Sequence, residues 1–392
     1  MLNQSEEEIQ VIIQHWIRIF NIKLGWIKNF DRLVVNYATI VFILDTFRSS
    51  SKLLKTFTGH TNCVNSIDYS AFDGAELICS GSNDKTVRVW DVEDNEQIQL
   101  FNEHSNSVYC VKFSPHHYHN YRRYVICSSS FDKSIRFWSI NNDEELKIFN
   151  GHVGAVFGIE FSPFCGGRYL CSGSGDKTIR LWDLETSKSL HAFNGHTHYV
   201  WCVAFSPLQR NDKNDNNKSN NIGLIGGNGY TICSGSFDKT VRIWDIETTK
   251  QFLEFKGHYD YVRSVKYGSN KLKIHVRLWD IRSGQQIQVF NGHKKWVNAV
   301  EYSPFVINNL KIGDNTNVIC SGSLDNTIRF WDIRSNKDEL HVIKGDDQED
   351  GGICCFKFFE LKAKEKQSKS SDNLDYITLC YGSGKGRVRV WG

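Results

Sequence analysis

The chain alternates between short apolar-polar runs and tight turns. Val64-Asn-Ser-Ile-Asp-Tyr69 has a period near two and reads as a half-buried strand. Leu77 to Ser82 supplies a second strand, and a turn follows at Asn83-Asp84-Lys85. Thr86 to Trp90 makes a third strand and Gln97 to Phe101 a fourth. The same order then returns. The stretch Cys79 to Asp91 recurs as Cys127 to Ser139, Cys171 to Asp183, Cys233 to Asp245 and Cys320 to Asp332, with a worn copy from Cys380 to Gly392. Ahead of these stand His60, His104, His152, His196, His258 and His293, spaced 44, 48, 44, 62 and 35 residues apart. Repeats of this length point to a stacked or radial architecture. Four short strands cannot bury both faces of their own sheet, but sheets set radially around an axis cover one another.

Residues 1–50 lie outside the repeat. Ser5-Glu-Glu-Glu8 forms a capping box, and Ile9, Ile12, Ile13, Trp16, Ile17 and Phe20 then fall on one helical face. A second helical pattern runs through Phe30, Leu33, Val34, Tyr37, Ile40, Val41 and Leu44. We therefore divide the chain into a helical N-terminal extension, 1–50, and a repeat domain, 51–392. The extension can contact a partner, self-associate or fold back. Its longest apolar run, Leu33 to Leu44, is 12 residues, short of the ~18 that a membrane span needs. With no secretory signal visible, the expected location is intracellular, in the cytoplasm or nucleus.

Composition narrows the function. The 47 basic and 44 acidic residues leave a net charge of +3, with no basic excess for a polyanion, so nucleic acid is not an expected partner. Of 12 cysteines, Cys79, Cys127, Cys171, Cys233, Cys320 and Cys380 share one repeat position, and Cys110 and Cys202 share another. Each then sits in its own unit, as a small buried hydrophobe of a reducing compartment rather than a disulfide partner. No Cys-x-x-Cys pair has zinc spacing, and the cluster His116, His117 and His119 lacks a fourth ligand. No metal or cofactor is expected.

Units of about 44 residues running from Gly-His to Trp-Asp resemble the WD-repeat family, with its G-protein beta-like repeats, and the similarity covers residues 52 to 392. The resemblance implies an all-β fold, a seven-bladed β-propeller of four-stranded antiparallel blades. It also implies a bonded network across each blade, joining the histidine, the serine of the Ser-Gly-Ser run, the turn aspartate and the tryptophan. The sets are His60, Ser80, Asp84 and Trp90; His104, Ser128, Asp132 and Trp138; His152, Ser172, Asp176 and Trp182; His196, Ser234, Asp238 and Trp244; and His293, Ser321, Asp325 and Trp331. Each mimics a catalytic triad, but five copies suit one lock per blade rather than one active site. Leu53 to Phe57 matches a fourth strand with no blade before it, and the chain ends one strand short at Trp391-Gly392. Residues 52–57 are therefore expected to close the ring. Two units are worn. Blade five is truncated: only 22 residues separate His258 from Asp280, against 31 from His60 to Asp91. In blade seven Tyr381 and Lys385 hold the serine and aspartate positions, so its lock is expected to be missing. The insertions Leu208 to Gly229 and Leu361 to Asp375 read as surface loops.

The family binds mostly on the face carrying the histidine loops, so the resemblance assigns partner contacts there. Carried onto this chain, those positions hold Tyr109, Phe131, Phe157, Tyr199, Trp201, Phe237, Tyr261, Arg263 and Trp296. Large aromatics with one arginine have a hot-spot composition, suited to a peptide with a basic or aromatic anchor. The implied function is a non-enzymatic scaffold or adaptor that assembles other proteins. Alternatives within that class are a substrate-recognition subunit of a ubiquitin ligase and a subunit of a chromatin complex. More remote are an enzyme using the central channel and a binder of lipid or nucleic-acid surfaces.

Overall fold

The turn after each second strand sets the blade geometry. Lys85, Lys133, Lys177, Lys239 and Asn326 occupy its left-handed position, with φ between 65° and 75°. A side chain with a Cβ is costly there, and neighbouring bonds hold it. Asp84 N–H donates to Ser82 Oγ at 3.1 Å and Thr86 N–H to Asp84 Oδ1 at 3.0 Å. In the worn last unit, Gly386 takes the same place with φ 88°.

The computed structural model describes residues 52–72, 75–206, 231–266, 271–272, 276–281, 283–303, 318–333, 339–361 and 376–392. These all belong to the larger of two compact units, whose residues are 52–304 and 313–392. The proposed helices of residues 1–50 lie outside the described residues. So do both insertions, Leu361 excepted.

The first blade runs β2 (Val64–Phe72), β3 (Ala75–Ser82), β4 (Val87–Asp91) and β5 (Glu96–Phe101), each antiparallel to the next. The same meander recurs from Val108, Val156, Val200 and Val297. In the last blade Ile353–Leu361, Tyr376–Ser383 and Val388–Trp391 are joined by β1 (Leu53–Phe57). Phe57 pairs with Val388 and Leu53 with Trp391. The two ends of this domain thus share one sheet, with β1 as its outer strand.

The expected count of seven blades, the fifth truncated, needs correction to six four-stranded blades. Six sheets have four strands, and the fifth has three: Lys271–Leu272, Arg277–Asp280 and Gln286–Val289. Val262–Lys266, which follows His258 as the innermost strands of the other blades follow their histidines, forms no strand. With the Ser-Gly-Ser run deleted from this unit, the segment has no adjoining strand long enough to pair with. It still spans the gap between neighbours. Val262 N–H donates to Ser236 O at 3.1 Å, and Val300 N–H donates to Ser264 Oγ at 3.3 Å. Among the described residues, helix is confined to Pro115–Tyr121 and a single turn at Cys165–Gly167.

The core lies between blades. Leu77, Val87 and Phe101 of the first pack on Val108, Ile126 and Trp138 of the second, and Phe101 stacks on Trp138 at 5.1 Å. Burying one such side chain is worth ~1.5–3 kcal/mol. Each tryptophan therefore seals one blade to the blade before it.

The innermost strands also build a ring that the alternation had concealed. The fifth residues of six of them are Asp68, Lys112, Glu160, Ala204, Glu301 and Lys357, and Lys266 holds the matching place in the strandless segment Val262–Lys266. Lys112 pairs with Glu160 and Lys266 with Glu301, both at 2.9 Å, and Lys357 pairs with Asp68. Six charges thus circle the channel and neutralise one another.

Candidate protein-interaction face

The loops of the histidine-bearing face are held by the locks beneath them. In the first blade Trp90 Nε1, Ser80 Oγ, His60 and Asp84 stand in line, with successive contacts of 2.8 Å. An indole N–H can only donate and a carboxylate can only accept, which fixes every proton. Trp90 donates to Ser80 Oγ, Ser80 donates to His60 Nε2, and His60 Nδ1–H donates to Asp84. Asp84 also accepts from Thr86 Oγ1 at 2.7 Å and from Thr61 N–H at 3.0 Å. The same geometry stands in four more blades, with His–Asp contacts of 2.7–2.9 Å and Trp–Ser contacts of 2.7–2.8 Å.

Burial alone would raise these carboxyls. The bonds from histidine and hydroxyl override it and hold Asp84, Asp132, Asp176 and Asp238 well below the ordinary carboxylate range. Burial lowers the imidazoles of His60, His196 and His293, as expected of neutral links that donate on one side and accept on the other.

The last blade is fastened too, against the expectation that its lock is missing. Asp350, fully buried, accepts from Tyr381 OH and from Arg389 Nε, both at 2.8 Å. Arg389 Nη2 reaches Glu349 at 2.7 Å. Tyr381 stands at the serine position and was read as wear, yet its longer side chain reaches an aspartate five residues after Gly345. In the fifth sheet, buried Trp279 Nε1 has no acceptor among the described residues.

Above the locks, the nine assigned partner residues form one connected cluster. Tyr261 stacks on Phe237 at 4.1 Å, Phe237 on Trp201 at 4.8 Å and Trp201 on Phe157 at 4.4 Å. Tyr109 meets Phe157 edge-on at 5.0 Å, with Phe131 beyond it at 6.3 Å. Tyr199 lies 5.8 Å from Phe157. The Arg263 guanidinium sits over Trp296, Trp201 and Phe237 at 4.4, 5.3 and 5.7 Å. Burial separates the roles within the cluster. Phe131, Tyr199, Tyr261 and Trp296 are exposed, whereas Phe157 is only 4% exposed. Phe157 is therefore the floor on which the others stand and is unavailable to a partner.

Two hollows adjoin the cluster. One of about 550 Å³ opens between Tyr261, Arg263, Lys294, Lys295 and Trp296. One of about 270 Å³ at the channel mouth is lined by Tyr109, Trp201, Arg263, Cys63 and Cys354. Cys63 Sγ and Cys354 Sγ lie 3.0 Å apart there. The sequence reading missed this contact because the two thiols occupy different repeat positions. At the helix Pro115–Tyr121, Ser114 Oγ of the N-cap lies 2.8 Å from His117 Nδ1, and Asn120 Nδ2–H donates to His116 Nδ1 at 3.0 Å. Burial lowers His117 to about 4. Among the described residues, no three His, Cys, Asp or Glu side chains are grouped to hold a metal ion, and no helix is long and apolar enough to cross a membrane.

A family model described as "WD domain, G-beta repeat" matches residues 51–91, 95–139, 143–183, 187–245 and 284–332. It skips the truncated fifth unit and the last one. The chain is 39% identical over 67 residues to WD repeat and SOCS box-containing protein 1 of Danio rerio, covering 17% of this chain and 16% of that protein. It is 28% identical over 118 residues to the peroxisomal targeting signal 2 receptor of Mus musculus, covering 30% and 37%. It is 41% identical over 61 residues to the U5 small nuclear ribonucleoprotein 40 kDa protein of Homo sapiens, 16% of each. The matches thus span well under two thirds of each relative's length.

Proposed function

The chain belongs to the WD-repeat family, and from that premise we propose that it is a non-enzymatic intracellular scaffold holding partner proteins on the face of its histidine loops. In this reading the ring has seven places, with the three-stranded sheet filling the fifth. The observation that supports it is the aromatic cluster: large rings converge on one arc and stay exposed, although soluble surfaces usually disperse such residues. Repetition of the His-Ser-Asp sets supports structural locks over catalysis. Residues 1–50 would add a second contact surface. Similarity to a SOCS box-containing relative favours a substrate-recognition role in a ubiquitin ligase as the second reading, although it spans only 67 residues.

The test is recovery of partners by the tagged full chain, compared with the double variant Trp201→Ala, Phe237→Ala. We expect a defined set of proteins to be lost while circular dichroism and the urea midpoint persist. Recovery of the same set by both chains would overturn the reading and move attention to residues 1–50.

A further inference from the structure

The 550 Å³ hollow beside the aromatic cluster carries an unbalanced charge. Arg263 is half-buried on the faces of Trp201, Phe237 and Trp296. Among the described residues it forms no hydrogen bond or ion pair, so its fork of N–H donors is uncommitted. Lys294 and Lys295 stand exposed on the rim with no carboxylate bound to either ammonium. Asp260 is the one acidic side chain in the lining. Three cations against one anion leave two positive charges facing a space large enough for several side chains. A guanidinium at the centre of the cage also repels the basic anchor expected from the sequence.

We propose that this hollow binds an acidic peptide segment, one side-chain carboxylate taking the Arg263 fork and a second lying between Lys294 and Lys295. The proposal rests on the scaffold reading and narrows it to a partner chemistry. An apolar residue next to the first carboxylate would lie on Trp296 or Tyr261. Arg–carboxylate bonding is bidentate and strong where water is partly excluded. Carboxylates suit the site better than phosphate, because Asp260 would repel a dianion held beside it.

The test is selection of random dodecapeptides displayed on phage by the immobilised full chain. It is followed by anisotropy titration of labelled winners against wild type, Lys294→Gln/Lys295→Gln and Trp201→Ala. We expect winners enriched in Asp and Glu, an affinity at least tenfold weaker for the Asn/Gln counterpart, and a similar loss in the double-lysine variant. Neutral or basic winners that depend on Trp201 would overturn the acidic assignment while leaving the scaffold face standing. Winners indifferent to both variants would overturn both. A phosphoserine counterpart binding more than tenfold tighter than the acidic peptide would overturn the choice of carboxylate.

The thiol pair supports a second inference independently. Cys63 precedes the first blade's inner strand and Cys354 lies in that of the last, so their 3.0 Å contact spans the junction where the ring closes. Both line the open 270 Å³ hollow, within reach of a small oxidant. We infer that peroxide converts them to a disulfide. The Cys63 thiolate attacks one peroxide oxygen, the O–O bond breaks, and the departing hydroxide takes the Cys354 thiol proton to leave as water. The Cys354 thiolate so formed attacks the sulfenic sulfur and displaces hydroxide, which regains from solvent the proton that Cys63 had released. A hydrogen bond from Cys354 lowers the Cys63 pKa, which favours Cys63 as the first nucleophile. After peroxide treatment, we expect non-reducing peptide mass spectrometry to find Cys63 joined to Cys354, and the urea midpoint to rise in wild type but not in Cys63→Ser. Thiols that stay reduced, or pairing through exposed Cys165 instead, would overturn the inference.

Discussion

In the fourth blade the Asp238 carboxylate accepts from His196 Nδ1 at 2.7 Å, Thr240 Oγ1 at 2.6 Å, and the backbone N–H groups of Thr197 and Thr240 at 3.0 Å. In the last blade the Asp350 carboxylate accepts from Arg389 and Tyr381, and from Asp346 N–H at 2.7 Å. The two sites share no donor residue type, and only a hydroxyl is common to both. Each ties a loop of the outer face to the strands below, and each saturates a buried carboxylate. The difference teaches that the motif's letters are one solution to a more general requirement, that a buried acid be surrounded by donors. The two solutions nevertheless carry different risks. In the fourth blade the direct side-chain donors to the acid are uncharged and Arg242, 3.9 Å away, is held at 2.8 Å by Glu254, while in the last blade a buried guanidinium donates directly to the acid.

The comparison can be broken most severely at Asp350. Replacing it with Ala leaves Arg389 Nε and Tyr381 OH without their acceptor, with only the half-exposed Glu349 to balance the guanidinium, and should cost ~3–5 kcal/mol in urea unfolding, whereas Asp350→Leu with Arg389→Met should recover most of the loss. Asp238→Ala leaves its uncharged direct donors unsatisfied while Arg242 keeps its 2.8 Å bond to Glu254, so ~2–3 kcal/mol is expected in the same measurement. A cost equal to that of Asp350→Ala would show that the ion pair brings no special liability. The tryptophans sharpen the contrast further. Trp244 Nε1 donates to Ser234 at 2.8 Å, so Trp244→Phe should cost ~1 kcal/mol beyond the lost packing. Among the described residues Trp279 Nε1 has no acceptor, so Trp279→Phe loses packing but no hydrogen bond and should cost ~1 kcal/mol less than Trp244→Phe.

The smallest expected effect is on pH. The ordinary imidazole pKa is 6.5, and burial holds His196 below it in the fold. Between those two values the unfolded chain binds the extra proton, so stability falls as pH drops below 6.5. Asp238, held far below its ordinary 3.8, loses its contribution only in stronger acid. His196→Gln should therefore flatten the decline of the urea midpoint below pH 6.5 and leave the acid limb in place.

The repeat could be read from sequence because each unit writes the same strands and turns in nearly the same letters. The closing role of Leu53–Phe57 followed from counting strands. The fastening of the last blade could not be read this way, because Tyr381 looks like a lost serine until Asp350 is seen folded against it. Phe157 passed as a contact residue because its repeat position faces the loops, and only the rings of Tyr109 and Trp201 above it reveal its burial. The channel charges escaped notice because a lysine or glutamate in an alternating strand reads as facing water. Their pairing partners lie one repeat away, beyond the reach of local pattern.

Those charges obey a rule of parity. Going round the channel, the signs run minus at Asp68, plus at Lys112, minus at Glu160, plus at Lys266, minus at Glu301 and plus at Lys357. A cycle with an odd number of members cannot be coloured in two colours without two like neighbours meeting. Seven inner positions would force one such clash. The colourless member is Ala204, standing between Glu160 and Lys266, and it lets an odd ring alternate without frustration.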